Sequence, residues 1–117
     1  MSGKFNLGSL NLQTTGTIQA TGGQLLGVTL TSTNYTVLVS DYLISVDAQS
    51  GPINITMPAS PSTGAEFIVK DANGNAGTNN ITILGNGHNV DGASSFVMTS
   101  NYESITLIYN GSKWSIV

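Results

Sequence analysis

The sequence contains no cysteine, and only 8% of its 117 residues are charged. The absence of cysteine excludes a disulfide framework and a thiolate metal site. The charged fraction is far below the roughly 25% of an average domain, and 3 basic residues against 6 acidic ones leave a net charge of −3. Lys4, Lys70 and Lys113 could not neutralise several backbone phosphates, so the composition disfavours a nucleic-acid partner.

Long apolar segments are also missing. No run comes near the ~20 apolar residues that cross a bilayer, and Met1-Ser-Gly-Lys-Phe5 does not continue into the apolar core of a secretory signal. We therefore expect that the protein has no membrane partner. We also expect that it is synthesised in a cytoplasm. The length predicts one domain, and a surface of Asn, Thr, Ser and Gly in place of charge is typical of a protein that packs against others.

The most informative segment of the chain is its C-terminus, where two alternating segments flank Asn110-Gly111. Asn-Gly is a preferred sequence for a two-residue type I′ turn, which fixes the register of a hairpin and places its large apolar side chains on one face. With this turn, Trp114 is predicted to anchor the core. The expected pairs are Tyr109 with Ser112, Leu107 with Trp114, and Ile105 with Ile116.

Residues 34–117 alternate apolar and polar side chains in short runs separated by Gly, Pro, Asn and Asp. Runs of this length and β-branched content predict strands, and no segment shows the 3.6-residue spacing of an amphipathic helix. About eight short strands at such spacing are typical of an antiparallel β-sandwich or barrel, here jelly-roll-like. The runs before the hairpin are residues 35–39, 43–46, 53–57, 67–69, 81–84 and 96–98.

Residues 1–33 differ from the rest, because their apolar residues are sparse and no charge follows Lys4. A glycine-containing segment of this kind cannot easily offset the entropy of its own ordering. We therefore predict an extended N-terminal arm over residues 1–33, held by sister subunits or by a foreign surface, and a β-domain over residues 34–117. The alternative is that the arm adds a strand to its own domain.

Ile-Thr steps recur after Asn54, Asn80 and Ser104, at intervals of 26 and 24 residues. These intervals are close to the period of a stacked β unit, but the flanking residues do not match. We interpret the steps as strand alternation and not as an internal repeat.

Two loops begin like ligand-binding motifs without completing them. In the segment that starts at Asp71, Ala76 stands where a calcium loop requires Gly, and Thr82 stands where it requires Glu. In the glycine-rich segment 85–92, Val90 replaces the last glycine of a dinucleotide-binding loop, and no helix follows. Both segments are interpreted as polar turns, and no metal or cofactor is expected.

The chain also lacks a complete catalytic constellation. His88 is the only histidine, and no nucleophile carries the elbow signature of a serine hydrolase. A glycosidase needs two carboxylates across a cleft, yet most acids of this chain fall at turns, where such side chains commonly bond the backbone. The acids are Asp41, Asp47, Glu66, Asp71, Asp91 and Glu103. We expect a protein that is not an enzyme and has no catalytic residues.

Several strand and turn segments within residues 34–117 carry a family resemblance. They are Tyr35-Thr-Val-Leu-Val-Ser-Asp-Tyr-Leu-Ile-Ser-Val-Asp47, Gly51-Pro-Ile-Asn-Ile-Thr-Met-Pro58, Gly64-Ala-Glu-Phe-Ile-Val-Lys-Asp71, Asn79-Asn-Ile-Thr-Ile83, Val90-Asp-Gly92 and Tyr109-Asn-Gly-Ser-Lys-Trp114. Together they resemble a module that recurs at the C-terminal ends of tailed-bacteriophage structural proteins. Residues 1–33 lie outside the resemblance.

Proteins of this kind are trimeric fibre tips, head fibres or capsid decoration proteins. The resemblance therefore implies a homotrimeric virion protein made in the host bacterial cytoplasm, without catalytic residues. A receptor-binding knob needs a long shaft. The arm of residues 1–33, at up to ~3.3 Å per residue, is too short to form one. We expect a capsid decoration (cement) protein on the outer capsid surface, bound to the major capsid protein; the alternative is a tail-fibre or head-fibre knob for a host receptor or glycan. The residues expected to bind the capsid are Phe5, Leu7, Leu10 and Leu12.

Overall fold

A computed structural model describes residues 13–117, which contain nine β-strands and no helix. Each predicted run and both sides of the C-terminal hairpin contain a strand, so the all-β prediction is confirmed. The strands are β1 (Val28–Thr31), β2 (Tyr35–Thr36), β3 (Leu43–Val46), β4 (Ile53–Thr56), β5 (Glu66–Asp71), β6 (Ile81–Leu84), β7 (Ser95–Met98), β8 (Ser104–Tyr109) and β9 (Trp114–Ile116).

The strands form two sheets. The first has the order β1-β3-β5-β8-β9 and the second the order β2-β4-β6-β7. Up to β6 the chain alternates between the sheets, and each strand is parallel to its predecessor in the same sheet. The chain therefore winds as three stacked coils, each with one strand in either sheet: β1 with β2, β3 with β4, and β5 with β6. The last three strands are antiparallel to their neighbours.

The prediction of an antiparallel, jelly-roll-like domain is wrong in strand direction, since four of the seven described strand pairs are parallel. Alternating side chains report which face of a strand is buried and say nothing about its direction. Direction follows from the connections: from β1 to β5 each loop leads to the other sheet, so the chain returns to the first sheet in a parallel direction. Two mixed sheets are compatible with a sandwich, and the described strands do not close into a barrel.

The hydrophobic core lies between the two sheets. Ile44 of β3 and Phe67 and Val69 of β5 are buried, whereas the side chains between them are half-buried. Trp114 of β9 is fully buried, with its ring centroid 5.8 Å from that of Phe67 and 5.2 Å from that of Tyr109. Its size, burial and aromatic contacts confirm Trp114 as an anchor of the core.

The C-terminal hairpin has a different register from the predicted one. Tyr109 pairs with Trp114, and Leu107 pairs with Ile116, so the predicted register is wrong by two residues. Because side chains alternate with a period of two, an even shift leaves the same residues on the buried face. The prediction of the buried face is therefore confirmed although the register is not.

The side chain of Asn110 explains the shift. Its Oδ1 accepts hydrogen bonds from the N–H of Ser112 at 3.0 Å and of Lys113 at 2.9 Å. Gly111 has a positive φ of +102°, but Asn110 does not, and a type I′ turn needs positive φ at both central residues. Residues 110–113 therefore form a four-residue loop.

The Ile-Thr steps do not occupy equivalent positions. β4 and β6 are stacked in parallel, but Ile55 pairs with Ile83 and not with Ile81. The third step lies on β8 in the other sheet. The steps are therefore not a repeat in register, although the chain does wind in stacked coils.

The described part of the predicted arm contains two different regions. Residues 13–27 contain no strand, and all of them are exposed. Residues 28–31 form β1, which pairs with β3 along its whole length, so this part adds a strand to its own domain. Residues 1–12 lie outside the described residues.

Candidate interaction surface at the first coil

Strand β1 has one paired side and one free side. The N–H of Asp47 donates to Thr31 O at 2.8 Å. In a parallel pair, alternate residues turn both of their backbone groups to the same neighbour, so Thr29 and Thr31 face β3. The N–H and C=O groups of Val28 and Leu30 therefore point to the other side, where the described part of the chain contributes no strand.

This free edge lacks the features that usually protect edge strands. Natural edge strands carry charge, proline, a bulge or a covering segment. Residues 13–40 contain no charged residue and no proline, and β1 pairs with β3 without a bulge. The edge of β1 is therefore open to pairing with another strand.

Exposed apolar side chains concentrate in the part of the chain that contains β1 and β2. Of the ten large apolar side chains exposed in the described part, seven lie between residues 18 and 39. Exposed apolar side chains that lie together mark interaction sites on soluble proteins. Six of the seven form what we call the first-coil surface: Leu25, Leu26, Val28, Leu30, Leu38 and Val39.

A carboxylate joins the parts of the first-coil surface. Asp41 accepts hydrogen bonds from the Thr29 hydroxyl at 2.7 Å, the Tyr35 hydroxyl at 2.6 Å and the Leu38 N–H at 2.8 Å. Burial alone raises the pKa of Asp41, but these three hydrogen bonds outweigh it and hold the pKa below its ordinary value. The network links β1, β2 and the turn before β3. The Asp41 carboxylate has hydrogen-bond donors on both oxygens.

A shallow groove of about 330 Å³ extends this surface on the outer face of the first sheet. Leu30 forms one wall, and Ser45, Asp47 and Asn73 are among the polar groups that line it. Asp47 already accepts a hydrogen bond from the Gln49 N–H at 3.0 Å. The groove has no aromatic or cationic side chain in its lining, so it adds surface beside β1 without adding a recognisable ligand site.

The loop that begins like a calcium site is organised by a buried carboxylate. Asp71 is fully buried, and it accepts hydrogen bonds from the N–H groups of Asn75 at 3.2 Å, Ala76 at 3.0 Å and Tyr102 at 2.9 Å. Burial alone raises the pKa of Asp71, but the backbone donors, Ala76 first and Gly74 also included, hold the pKa below its ordinary value. Asp71 therefore ties two loops together, and its segment is the polar turn that was expected.

Replacing Asp71 with Asn is expected to lower the free energy of unfolding at neutral pH by about 2 to 4 kcal/mol, because an amide cannot accept at both oxygen positions and leaves buried N–H groups unpaired. The folded pKa lies below the unfolded one. The stability from the carboxylate is therefore present above about pH 4 and is lost as the pH falls through the folded pKa. Urea unfolding at neutral and acidic pH would measure both effects.

The matched control is Asp47→Asn, because Asp47 accepts one hydrogen bond in the part of the chain that the structure describes and is half-buried. It should cost less than about 1 kcal/mol. If the free energies of unfolding of wild type and Asp71→Asn differ by the same amount at neutral and acidic pH, the role given to the Asp71 carboxylate is wrong.

The glycine-rich segment 85–92 is shaped by close backbone contacts. A Cβ atom at Gly85 would lie 1.7 Å from His88 O, so no other residue fits there without movement. His88 is half-buried: Nε2 lies 3.0 Å from Ala59 O, and Nδ1 lies 3.3 Å from the Tyr109 hydroxyl. Both ring nitrogens therefore have structural partners.

Other carboxylates also bind backbone groups. Glu103 accepts from the N–H of Thr99 at 3.2 Å and of Ser100 at 3.1 Å, and Asp91 accepts from the N–H of Ile116 at 3.1 Å. In the part of the chain that the structure describes, no three His, Asp or Glu side chains are grouped so that they could hold a metal ion. Glu103 therefore stabilises the loop before β8, and Asp91 binds the backbone of β9.

The residues predicted to bind the capsid, Phe5, Leu7, Leu10 and Leu12, lie outside the described residues, so their role stays a prediction. Sequence reasoning missed the first-coil surface. Its signal was the alternation of Val28-Thr-Leu-Thr31 in an uncharged segment, but neighbouring glycines and the low density of apolar residues indicated an arm instead of a strand.

Comparison with known proteins does not assign the chain to a family. No protein-family model matches the chain, and no curated protein matches its sequence. Within residues 13–117, no helix is long and apolar enough to span a membrane. The function is therefore inferred from the fold and the first-coil surface.

Proposed function

We propose that this protein is a non-enzymatic structural protein of a tailed-phage virion, namely a capsid decoration protein that binds the outer capsid as a homotrimer and stabilises the head. The observation that carries the proposal is the first-coil surface, where a free, uncharged strand edge lies beside exposed Leu25, Val28 and Leu30. Apolar surface next to unpaired backbone groups is suited to lasting contact with other proteins.

The proposed mechanism is adhesion. A stable protein contact buries about 1,600 Å² in total, and a trimer that contacts several capsid subunits at once gains avidity because the second and third contacts form at high effective concentration. The low charge density of the chain, 8%, limits repulsion between crowded copies on one surface. The capsid is thereby held together across its subunit boundaries.

The positions of the carboxylates support a role without catalysis. Asp71, Asp91 and Glu103 accept hydrogen bonds from backbone N–H groups. These three carboxylates therefore stabilise the backbone. A side chain that must exchange protons with a substrate needs free access to it.

A trimeric tail-fibre or head-fibre knob is the second candidate, and the stacked coils favour it. β1 and β2 lie at the same end of the two sheets, and both are terminal strands of their sheets in the described part. A further coil could stack on this end, as it would in a shaft built from stacked strands.

The test mixes purified protein with capsids that lack it, and it follows binding by co-sedimentation and electron microscopy. The free protein should sediment at about three times the chain mass of 12.1 kDa, and binding should raise the temperature at which capsids rupture. Leu25→Ser with Leu26→Ser should weaken binding at least about tenfold if these side chains are buried in the contact. Val97→Ser, at an exposed apolar residue of β7, is the control. Binding to host cells in place of capsids would favour the knob.

A further inference from the structure

We propose that the free edge of β1 accepts residues 5–12 of a second copy of this chain as an additional strand, so that each subunit of the trimer passes its N-terminal segment to the next subunit. This assignment rests on the trimer in the proposed function and does not depend on capsid binding. It names the occupant of the edge beside the first-coil surface.

The acceptor is defined by its backbone. The N–H and C=O groups of Val28 and Leu30 point away from β3, and the described part of the chain supplies no strand on that side. Adding a strand to an exposed edge pairs such groups, and pockets for alternate side chains then give the contact its specificity. Val28 and Leu30, 58% and 78% exposed, supply the apolar row on the outer face.

The donor segment matches this edge in composition. Residues 5–12, Phe-Asn-Leu-Gly-Ser-Leu-Asn-Leu, contain no charge and no proline. Phe5 and Leu7 are two positions apart, as are Leu10 and Leu12, so in a strand each pair shares one face, and the two pairs face opposite sides. One pair then packs beside Val28 and Leu30 on the outer face of the sheet, and the other pair lies on the side of Thr29 and Thr31.

The linker points to a second copy and not to the chain's own β1. Residues 13–27 are all exposed, with Ile18 63% exposed and Leu25 fully exposed. The linker therefore packs on neither sheet of its own chain. A linker of this length reaches ~50 Å when extended, which exceeds the two shorter dimensions of the chain, 33 and 21 Å. Exchange of identical segments around a ring closes the trimer without new elements.

A proline variant tests the acceptor edge. In Leu30→Pro the lost N–H faces away from β3, so the pairing of β1 with β3 stays intact. The expected result is a fall in sedimentation mass from about three times the 12.1 kDa chain mass to the chain mass itself, with little change in cooperative melting. Gln24→Pro, in the exposed segment before β1, is the control and should remain trimeric. Thr29→Pro removes an N–H that faces β3 and should lower the melting temperature.

Disulfide cross-linking tests the donor segment. Because the chain has no native cysteine, only the introduced cysteines can form a disulfide. Two copies of different size are co-expressed, one with Leu30→Cys and the other with a single cysteine at position 5, 7, 10 or 12. Disulfides need Cβ atoms ~4 Å apart. We expect cross-chain disulfides from positions 5 and 7 or from positions 10 and 12, and not from both pairs.

Three results would overturn the assignment. They are a trimer that survives Leu30→Pro, a wild-type monomer at micromolar concentration, and a failure to form any disulfide between the two copies while a single copy given both cysteines forms one within its own chain. The two proposals fail separately. A cross-linked trimer that does not bind capsids supports the strand exchange and contradicts the decoration role, whereas a monomer that binds capsids supports the decoration role and contradicts the exchange.

Discussion

Replacing Trp114 with Ala should lower the free energy of unfolding by about 3 to 5 kcal/mol, the range expected when a large aromatic side chain is removed from a packed core. The indole is fully buried, between the rings of Phe67 and Tyr109. These rings belong to β5 and β8, so the cavity would open where three strands of the first sheet meet. Chemical denaturation followed by circular dichroism measures the loss.

A second aromatic variant separates packing from polarity. Trp114 Nε1 is buried and has no hydrogen-bond partner in the described part of the structure, and an unpaired buried donor costs about 1 to 3 kcal/mol. Trp114→Phe removes this donor and keeps a ring, so its net cost should be clearly smaller than that of Trp114→Ala. Trp114 is the only tryptophan, and a water-exposed emission spectrum from the folded protein would contradict the burial described here.

The existence of most strands could be predicted because burial alternates along them. The runs 43–46 and 81–84 coincide with β3 and β6, and buried and half-buried side chains alternate along both. Strand direction could not be predicted, because a parallel and an antiparallel strand show the same alternation. What decides it is whether a loop crosses to the other sheet, and that depends on packing across the whole molecule.

The hairpin shows a similar limit on a smaller scale. Its apolar residues identified the buried face, while the register depended on one side chain: Asn110 Oδ1 captures two N–H groups of the loop. Asn-Gly is compatible both with a type I′ turn and with this wider loop. The local sequence therefore left two registers open, and both bury the same face.

The buried state of Asp71 could not be predicted from its neighbours in the sequence. One of its donors is the N–H of Tyr102, 31 residues away. A turn acid becomes a buried acceptor only when a second loop covers it. β1 was hidden for a related reason, because its exposed Val28 and Leu30 gain significance only once the free edge of the sheet is seen.

The two ends of the stack differ in a way that supports the proposed contact. At the β9 end, Trp114 N–H donates to Asn89 O at 2.9 Å and Asp91 N–H donates to Trp114 O at 2.8 Å. The segment around residue 90 thus covers the edge of β9. At the β1 end, no described strand pairs with the edge. A fold that protects one edge and leaves the other bare is expected to use the bare edge for contact.

Deleting residues 2–20 is expected to leave the β-domain folded and to abolish particle binding. β1 begins at Val28, and no buried core residue of the described part precedes Val37. The melting temperature should therefore change little, and one cooperative transition should remain. The deletion removes the predicted capsid-binding residues, so affinity for capsids should fall on the order of 100-fold or more as the multivalent contact is lost.

Co-sedimentation with capsids and differential scanning calorimetry measure the two effects on the same preparation. Deletion of residues 2–4 is the matched control, because it shortens the chain and keeps Phe5, Leu7, Leu10 and Leu12. If the protein is a fibre knob, the longer deletion should still bind host cells, and particles without the protein should keep their heat resistance but lose adsorption. If the longer deletion unfolds the domain, the segment is part of the core. The assignment of residues 2–20 to an arm outside the domain and its role at the capsid would then both be wrong.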